Sequence, residues 1–238
     1  MFWTELCFIL VALMIGARIG GVFLGMVGGL GVGVMVFIFG LTPSTPPIDV
    51  ILIILSVVLA AASLQASGGL DLLVKLAEKI LRRHPRYITL LAPFICYIFT
   101  FMSGTGHVVY SLLPVISEVA RDSGIRPERP LSISVIASQQ AITASPISAA
   151  MAATTLILLP LGLALGLPAY ALIGSWPAVN GYFFIPVAGQ CLAALAFDDT
   201  GTTRIGKYVL NHSFMRPGLV NVIVSVIVGL LIGKMVLA

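Results

Sequence analysis

One uncharged stretch of the chain carries polar residues of a kind that can bind a ligand. Residues 87–117 include no Asp, Glu, Lys or Arg, and Ser103-Gly104-Thr105-Gly106-His107 lies at the middle of these 31 residues. As one helix the stretch would be about 46 Å long, well over the roughly 30 Å of a bilayer core, whereas two full crossings need about 40 residues. The length therefore predicts two half-helices that turn at the glycines and return to the same face.

Such a break has a functional meaning in a membrane. Non-helical backbone survives at membrane depth only where protein buries it or where it lines a cavity, and in transporters such breaks hold substrates and ions. The pattern at Ser103–His107 therefore predicts a transport protein.

A second polar run interrupts another uncharged segment, residues 131–197. It reads Thr143-Ala144-Ser145-Pro146-Ile147-Ser148. Proline removes a backbone donor and disfavours helical geometry in the residue before it. The sequence therefore predicts a helix broken at mid-membrane, and Gln65, Gln139 and Gln140 are further candidates to line the same path.

A third turn is predicted at Ser175-Trp176-Pro177-Ala178-Val179-Asn180-Gly181, at the tip of a second hairpin. The last span is expected to cover residues 208–237. His212 and Arg216 fall in its first half, where they either bind an anion or mark the edge of the membrane.

The composition defines the class of protein. Hydrophobic residues make up 59% of the chain and charged residues 9%, against about 25% charged residues in a soluble domain. This composition predicts a multi-spanning membrane protein. The net charge of +4 lies in loops and indicates topology, not nucleic-acid binding. The three cysteines lie far apart in apolar segments, so we expect no disulfide, no metal site and no cofactor.

Charge in the loops predicts the topology. Apolar runs at residues 2–17, 20–41 and 50–67 precede an amphipathic connector at residues 71–86, whose basic residues place it along the cytoplasmic membrane surface. The next basic loop contains Arg121, Arg126 and Arg129. If both loops are cytoplasmic, the stretch between them must enter and leave on one side. A single tilted crossing is the alternative.

The predicted fold is an all-α polytopic membrane protein with discontinuous helices and re-entrant hairpins, whose alternation indicates two related halves that meet at mid-membrane. A partial inverted-repeat, ion-transporter-like architecture is what the resemblance described below implies. Residues 1–159 would form a first membrane repeat with three spans, the connector, a re-entrant hairpin and a broken helix. Residues 160–238 would form a partial second repeat with a hairpin and a C-terminal broken helix.

Ordered stretches along almost the whole chain carry a resemblance to a known family. They are Gly16-Ala17-Arg18-Ile19-Gly20-Gly21, Leu64-Gln65-Ala66-Ser67-Gly68-Gly69-Leu70-Asp71, Ala77-Glu78-Lys79-Ile80-Leu81-Arg82-Arg83, Gly104-Thr105-Gly106-His107, Ile125-Arg126-Pro127-Glu128-Arg129-Pro130, Ala144-Ser145-Pro146-Ile147-Ser148, Pro177-Ala178-Val179-Asn180-Gly181-Tyr182-Phe183-Phe184, Gly201-Thr202-Thr203-Arg204-Ile205-Gly206-Lys207-Tyr208 and Asn211-His212-Ser213-Phe214. In these the chain resembles the anaerobic four-carbon dicarboxylate transporter family of bacteria, the Dcu type. Residues 1 to about 155 resemble its beginning and residues from about 160 its end, so the family's middle is expected to be absent, with a seam within residues 154–167.

The resemblance implies exchange or uptake of fumarate, succinate, malate or aspartate across the inner membrane. A dicarboxylate cannot be buried without hydrogen-bond donors for its charges, and helix N-termini and hydroxyl groups provide them. The residues expected to bind the substrate are Ser103, Gly104, Thr105, Gly106, His107, Thr143, Ser145, Pro146, Ser148 and Asn180. Each hydroxyl has an alternative role as a helix back-bond, and His107 can be a donor, a proton carrier or a neutral packed side chain.

Two other function classes compete with a carrier. Ser103 and His107 stand four residues apart like a hydrolase pair, but no acid orients the histidine, so we expect no enzyme activity. Because the family's middle is expected to be absent, the chain could be an inactive shortened form, or a non-transporting membrane subunit that binds or regulates a partner such as a sensor protein. The expected partners are dicarboxylate anions and the lipid bilayer, with a homo-oligomer or a sensor as further options, and no nucleic acid.

Overall fold

The structure of the protein is a computed structural model that describes residues 2–19, 22–42, 48–186, 188–207 and 210–237. Eleven α-helices are present in these ranges: α1 (Phe2–Ile19), α2 (Val22–Phe37), α3 (Ile48–Ala66), α4 (Gly69–Arg83), α5 (Ile88–Ser103), α6 (His107–Asp122), α7 (Glu128–Ala144), α8 (Ala149–Ala164), α9 (Ala169–Gly174), α10 (Gly189–Phe197) and α11 (Met215–Leu237). Two 3₁₀ helices, Pro85–Tyr87 and Trp176–Phe184, complete the helical elements of the described ranges.

The structure confirms an all-α membrane protein. Two described helices are long and apolar enough to cross a bilayer, Pro85–Ser103 and Met215–Leu237, and a bent pair, Ile51–Ala66 with Gly69–Arg83, makes a third if it is counted as one span. Only 6% of an 18-residue apolar stretch of the Met215–Leu237 helix is buried within the chain. Such low burial suits a helix that faces lipid.

The chain divides into two compact units, Met1–Ile48 and Asp49–Ala238. In the first unit α1 packs against α2, and the rings of Phe8 and Phe39 lie 6.3 Å apart. These units are defined by contacts between residues and not by a structural repeat. The assignment of repeats to 1–159 and 160–238 therefore stays a prediction.

Helix α4 is the amphipathic connector that the sequence predicts. It begins after Gly68, whose φ of +74° only glycine adopts easily, and it lies at 67° to α3. Ala77 and Leu81 are buried on one face, whereas the basic residues lie on the exposed face. Leu72 and Leu76 of the same helix are exposed, so the buried face is narrower than the apolar pattern of α4.

The core of the second unit forms around α5, α6 and α7. Helices α5 and α7 make the most extensive contact of the fold, and the hydroxyls of Thr100 and Ser138 share a hydrogen bond of 3.0 Å within it. Fully buried side chains of the core include Leu81, Ile88, Val109, Leu112, Leu113, Ile116, Leu131, Val135, Phe183 and Phe214. This packing holds α5, α6 and α7 together along their lengths.

Ion pairs bring the two ends of the first uncharged stretch together. Arg82, at the end of α4, donates to Glu78 at 2.8 Å and to Glu118 of α6 at 3.0 Å. Both hydrogen bonds raise the pKa of Arg82, the one to Glu78 more than the one to Glu118. The chain therefore leaves this region along α5, turns at residues 104–106 and returns along α6. We call this region, where α4 and α6 end and α7 begins, the basic end; the re-entrant placement in a bilayer stays a prediction.

The loop of residues 198–214 also lies at the basic end. Arg121 of α6 pairs with Asp199 at 3.5 Å. Glu128, the first residue of α7, accepts a hydrogen bond from the Ser213 hydroxyl at 2.8 Å, and its backbone N–H donates to the Thr202 hydroxyl at 3.2 Å. Three basic loops that are far apart in sequence therefore share one end of the unit.

Asp198 organises this loop. Its buried carboxylate accepts hydrogen bonds from Thr200, from the Thr202 hydroxyl at 2.9 Å and from the Thr203 backbone. Burial by itself raises the pKa of Asp198. The hydrogen bonds from Thr200, Thr203 and Thr202 together lower the pKa by more than burial raises it, so the pKa of Asp198 lies below its ordinary value. The loop is therefore a fixed structure built on one carboxylate.

The last span is shorter than the sequence predicts. Helix α11 begins at Met215, so His212 precedes it and Arg216 lies in its first turn. An antiparallel bridge joins Ile205 and His212 before the helix begins; Tyr208 and Val209 lie outside the described residues. Around the predicted third turn, the chain forms α9, a 3₁₀ helix and α10.

Candidate functional site

The two polar breaks of the chain touch each other. The hydroxyl of Ser145, just after α7, donates a 2.7 Å hydrogen bond to the carbonyl of Phe101 in the last turn of α5. The carbonyl of Ile147 approaches Gly104 so closely that a Cβ on Gly104 would lie 2.7 Å from its oxygen. The break between α5 and α6 and the break between α7 and α8 therefore form one structure.

Gly104 is required at its position for two reasons. Its φ of +66° is left-handed, a conformation that costs other residues about 1–2 kcal/mol. Its backbone N–H closes α5 by donating to the Thr100 carbonyl at 2.9 Å, and its missing side chain leaves room for Ile147. The glycine thus permits both the turn and the contact.

A cavity of about 450 Å³ opens beside the joined breaks. Its walls come from α3, the start of α4, the first break, the end of α7 and the second break. The polar and glycine positions that line it are Gln65, Ser103, Gly104, Thr105, Gly106, His107 and Ser148, and the other lining residues are apolar. Among these lining residues His107 carries the one ionisable side chain.

The structure brings six of the ten predicted binding residues to this cavity, namely Ser103, Gly104, Thr105, Gly106, His107 and Ser148. Ser145 is fully buried as the tie to Phe101, and Pro146 is exposed outside the lining. Thr143 donates to the Gln140 carbonyl at 2.8 Å, as a helix back-bond does, and faces a different cavity. Asn180 lies in the second 3₁₀ helix, and its side chain is outside the described part of the chain.

Two helix N-termini point into the cavity. Helix α6 starts at His107, and helix α8 starts after Ser148, whose hydroxyl accepts from the Met151 N–H at 3.4 Å. The negative ends of α5 and α7 also lie here, but the Ser145 hydroxyl caps one of these carbonyls by donating to Phe101. Side-chain hydroxyls accept one N–H at each N-terminus, but the partial positive charge of both helix ends still favours an anion.

Thr105 keeps a free hydrogen-bond donor, its hydroxyl hydrogen, at the N-terminus of α6. Its hydroxyl oxygen accepts from the His107 backbone N–H at 3.4 Å, which leaves the hydroxyl hydrogen available to a ligand. The Ser103 hydroxyl instead donates to the Thr105 carbonyl at 3.0 Å, which is a helix-end arrangement and not that of an activated nucleophile. The exposed ring of His107 stacks on Tyr110 with centroids 6.1 Å apart.

Comparison with known proteins assigns the family. The sequence model of a family described as "Anaerobic c4-dicarboxylate membrane transporter" matches residues 1–154 and, separately, residues 151–237. The chain belongs to this family. The two matches meet at residues 151–154, inside α8 and at the edge of the predicted seam.

Three relatives of the C4-dicarboxylate transporter family show the extent of the similarity. The chain is 51% identical to "Anaerobic C4-dicarboxylate transporter DcuB" of Escherichia coli O6:H1 over 63% of its own length and 34% of the relative's. It is 52% and 51% identical to "C4-dicarboxylate transporter DcuA" of Wolinella succinogenes and of Helicobacter pylori strain 26695, each over 66% of its length and 36% of theirs. The aligned part thus spans about a third of these relatives. No solved structure matches the chain significantly.

A smaller cavity of this family member adjoins the first break on the side of α10. It measures about 180 Å³ and shares Gly106 and His107 with the larger cavity. The Gln190 side chain, at the start of α10, donates to the Gly106 carbonyl at 3.1 Å. A third helix N-terminus therefore lies beside the joined breaks.

Sequence reasoning missed Tyr110 and Gln190. Tyr110 stands three residues after His107, the spacing of one helix face, and Gln190 is a polar residue in a long apolar segment. Both signals are present in the sequence, but neither indicates contact with the first break. That contact depends on the packing of α10 against α6.

The three glutamines predicted to line the path lie at different places in the structure. Gln65 lines the larger cavity. Gln139 is buried against Cys191, its amide nitrogen 3.8 Å from the sulfur, and Gln140 accepts from Asn221 of α11 at 2.9 Å. Gln140 and Thr143 face a third cavity of about 370 Å³ beside Trp176. In the described part of the chain no group of three His, Cys, Asp or Glu side chains could hold a metal ion.

Proposed function

We propose that this chain binds C4-dicarboxylates at the joined breaks and moves them across the bacterial inner membrane as a secondary transporter, by exchange or uptake. Fumarate, succinate, malate and aspartate are the expected substrates. Family membership supports the substrate class, and the apolar helices support a multi-pass protein.

The observation that carries this proposal is the contact between the two breaks beside a cavity that two helix N-termini enter. Helix N-termini bind anions without a full opposite charge, so a dianion is held but can still leave. The hydroxyls of Thr105 and Ser148 lie at these N-termini and orient the carboxylates. The cavity volume of about 450 Å³ suits a small ligand.

Within this proposal α5 and α6 form a re-entrant hairpin. The contact of Arg82 with Glu118 keeps both its ends at the basic end, and α5, at about 24 Å for 16 residues, is shorter than a bilayer core. The break at Gly104 would then lie inside the membrane. Pro85–Ser103 as a full crossing is the alternative arrangement of the same residues.

A second candidate function is a membrane subunit that binds a dicarboxylate or a regulatory partner without transporting. The observation that favours it is coverage: the family matches in two separate segments, and the aligned part spans 34–36% of the relatives. A carrier without part of its second half could keep the binding site but lose the conformational change.

Transport in proteoliposomes tests the proposal. We expect saturable uptake of labelled succinate or fumarate by the purified full chain, and a loss of at least tenfold in Thr105→Val, which removes the free hydroxyl but keeps the shape. Thr89→Val, near the start of α5 and outside the cavity lining, is the matched control and should keep wild-type uptake.

Binding separates the two functions. If the folded chain binds succinate in detergent but catalyses no flux, the binding subunit is correct and the carrier is wrong. If it neither binds nor transports any of the four acids, or if Thr105→Val transports like the wild type, the assignment of the site to dicarboxylates fails.

A further inference from the structure

A second polar cavity lies at the basic end, away from the joined breaks. It measures about 300 Å³, and its charged lining residues are Glu128, Arg204 and Arg216. Asn211, His212 and Ser213 add polar atoms to the same wall. None of these residues lines the cavity at the breaks.

The two arginines of this cavity carry charge that no carboxylate offsets directly. Within the described ranges neither Arg204 nor Arg216 has a carboxylate oxygen within 4.0 Å. The one carboxylate of the lining, Glu128, is already engaged on both oxygens, by Ser213 at 2.8 Å and by Arg126 at 2.9 Å. The cavity is therefore electropositive.

The backbone holds the arginines in place. The Arg204 N–H donates to the Ser213 hydroxyl at 3.0 Å, and the Ser213 N–H donates to the Arg204 carbonyl at 3.1 Å. Two residues later α11 begins, with Arg216 in its first turn. The Asp198 network fixes the other end of the loop. The positions from which both side chains enter the cavity are thus set before any ligand binds.

Arg216 stands at the wrong end of a helix for a cation. The N-terminus of α11 carries a partial positive charge, and no acidic residue lies in its first turn. His212 adds little positive charge of its own, because burial lowers the pKa of His212 more than its hydrogen bond with the Phe184 carbonyl raises it. An anion in the cavity would offset both arginines and the helix end.

We infer that this cavity is a second anion site, which binds one carboxylate or phosphate group between Arg204 and Arg216 at the basic end of the chain. Arginine suits both groups, because its planar fork donates two parallel hydrogen bonds. The anion comes either from a soluble acid, which the site would concentrate at the basic end, or from the headgroup of an anionic lipid.

Binding to the delipidated full chain in detergent tests the inference, with succinate and inorganic phosphate as probes for the soluble source. Native mass spectrometry of retained phosphatidylglycerol probes the lipid source. Succinate binding is compared in the Thr105→Val background, so that the site at the breaks does not contribute. For whichever probe binds, we expect the double variant Arg204→Gln/Arg216→Gln to raise the half-saturating probe concentration, or to lower the lipid retained, at least tenfold. Lys234→Gln, which also removes a basic residue, is the control and should bind like the wild type.

The variant Thr105→Val separates this site from the one at the breaks. Phosphate or lipid binding at the basic end should survive in Thr105→Val, even if succinate binding at the breaks is lost. The double variant Arg204→Lys/Arg216→Lys should restore at least part of the affinity, which guards against a folding defect. The inference is wrong if none of the three probes binds saturably to folded protein, or if the glutamine variant binds them like the wild type.

Discussion

The hydroxyl of Ser145 donates to the carbonyl of Phe101 at 2.7 Å, and these residues are 44 positions apart in the chain. The bond joins the end of α7 to the end of α5 at the point where both helices stop. It satisfies a carbonyl that the helix end leaves without an intrahelical partner. The two breaks therefore share one hydrogen bond besides a wall of the cavity.

Removal of this hydroxyl should destabilise the fold. We expect Ser145→Ala to lower the free energy of unfolding by about 0.5–1.5 kcal/mol, because the fully buried Ser145 site loses its hydrogen bond to the Phe101 carbonyl. Thermal unfolding in detergent measures the change. Ser56→Ala is the control, because the exposed Ser56 hydroxyl bonds only to the Leu52 carbonyl of its own helix at 2.8 Å. Equal shifts of the melting temperature in both variants would contradict a stabilising hydrogen bond between Ser145 and Phe101.

The close approach at Gly104 gives a second prediction. Gly104→Ala should destabilise through the left-handed backbone and also through the Ile147 carbonyl, for a total of at least about 2 kcal/mol. Gly124→Ala is matched, because Gly124 has a φ of +70° but no atom near the place of a Cβ. Its cost should be the backbone strain alone, about 1 kcal/mol. If the two alanine variants unfold at the same temperature, the contact between Gly104 and the Ile147 carbonyl has no energetic role.

Asp198 predicts the acid sensitivity of the basic end. Its folded pKa is lower than its unfolded pKa, so its stabilisation is present above the ordinary value near 4 and is lost as pH falls through the folded pKa. Asp198→Asn should lower stability at pH 7 by about 2 kcal/mol and flatten the decline below about pH 4. Melting curves between pH 3 and pH 7 measure both effects.

Asp199→Asn is the control for this prediction. Asp199 is exposed and only pairs with Arg121 at 3.5 Å, so we expect a change near zero. A pH dependence in Asp198→Asn identical to that of the wild type would show that another group controls acid unfolding.

The position of the third basic loop predicts the side of the C-terminal helix. Counting of basic residues leaves a conflict here: it puts Lys234 inside if the final helix crosses once after a re-entrant hairpin, and it then leaves Arg204 and Lys207 outside. The contacts with Glu128 and Arg121 group the loop with the other basic loops. Helix α11, 23 residues and about 34 Å long, then leads away from them. We therefore expect Lys207 inside and Lys234 outside.

Cysteine labelling with an impermeant maleimide checks this topology. In a background without Cys7, Cys96 and Cys191, cysteines at positions 86 and 207 should react from the same side, and a cysteine at position 234 from the other. Labelling of positions 207 and 234 from one side would contradict the arrangement.

The sequence alone determined the class of protein and the places where its helices break. Low charge and long apolar runs require a membrane protein, and Gly104 and Pro146 interrupt helices through local backbone chemistry that acts in any fold. The ordered motifs also indicated the family, which the comparisons confirmed. These properties depend on composition or on neighbours in the chain, so they can be predicted without a structure.

Only the tertiary structure decided what each polar residue does. Ser145 and Ser148 are three residues apart and alike in type, yet one is a buried tie and the other caps a helix at the cavity. Thr143 faces a different cavity, and Gln190 reaches Gly106 from 84 residues away. Arg204 and Arg216 share a cavity because Ser213 fixes the loop between them. Each of these roles depends on contacts between distant segments, which the packing of α5, α6, α7, α10 and α11 creates and local sequence does not specify.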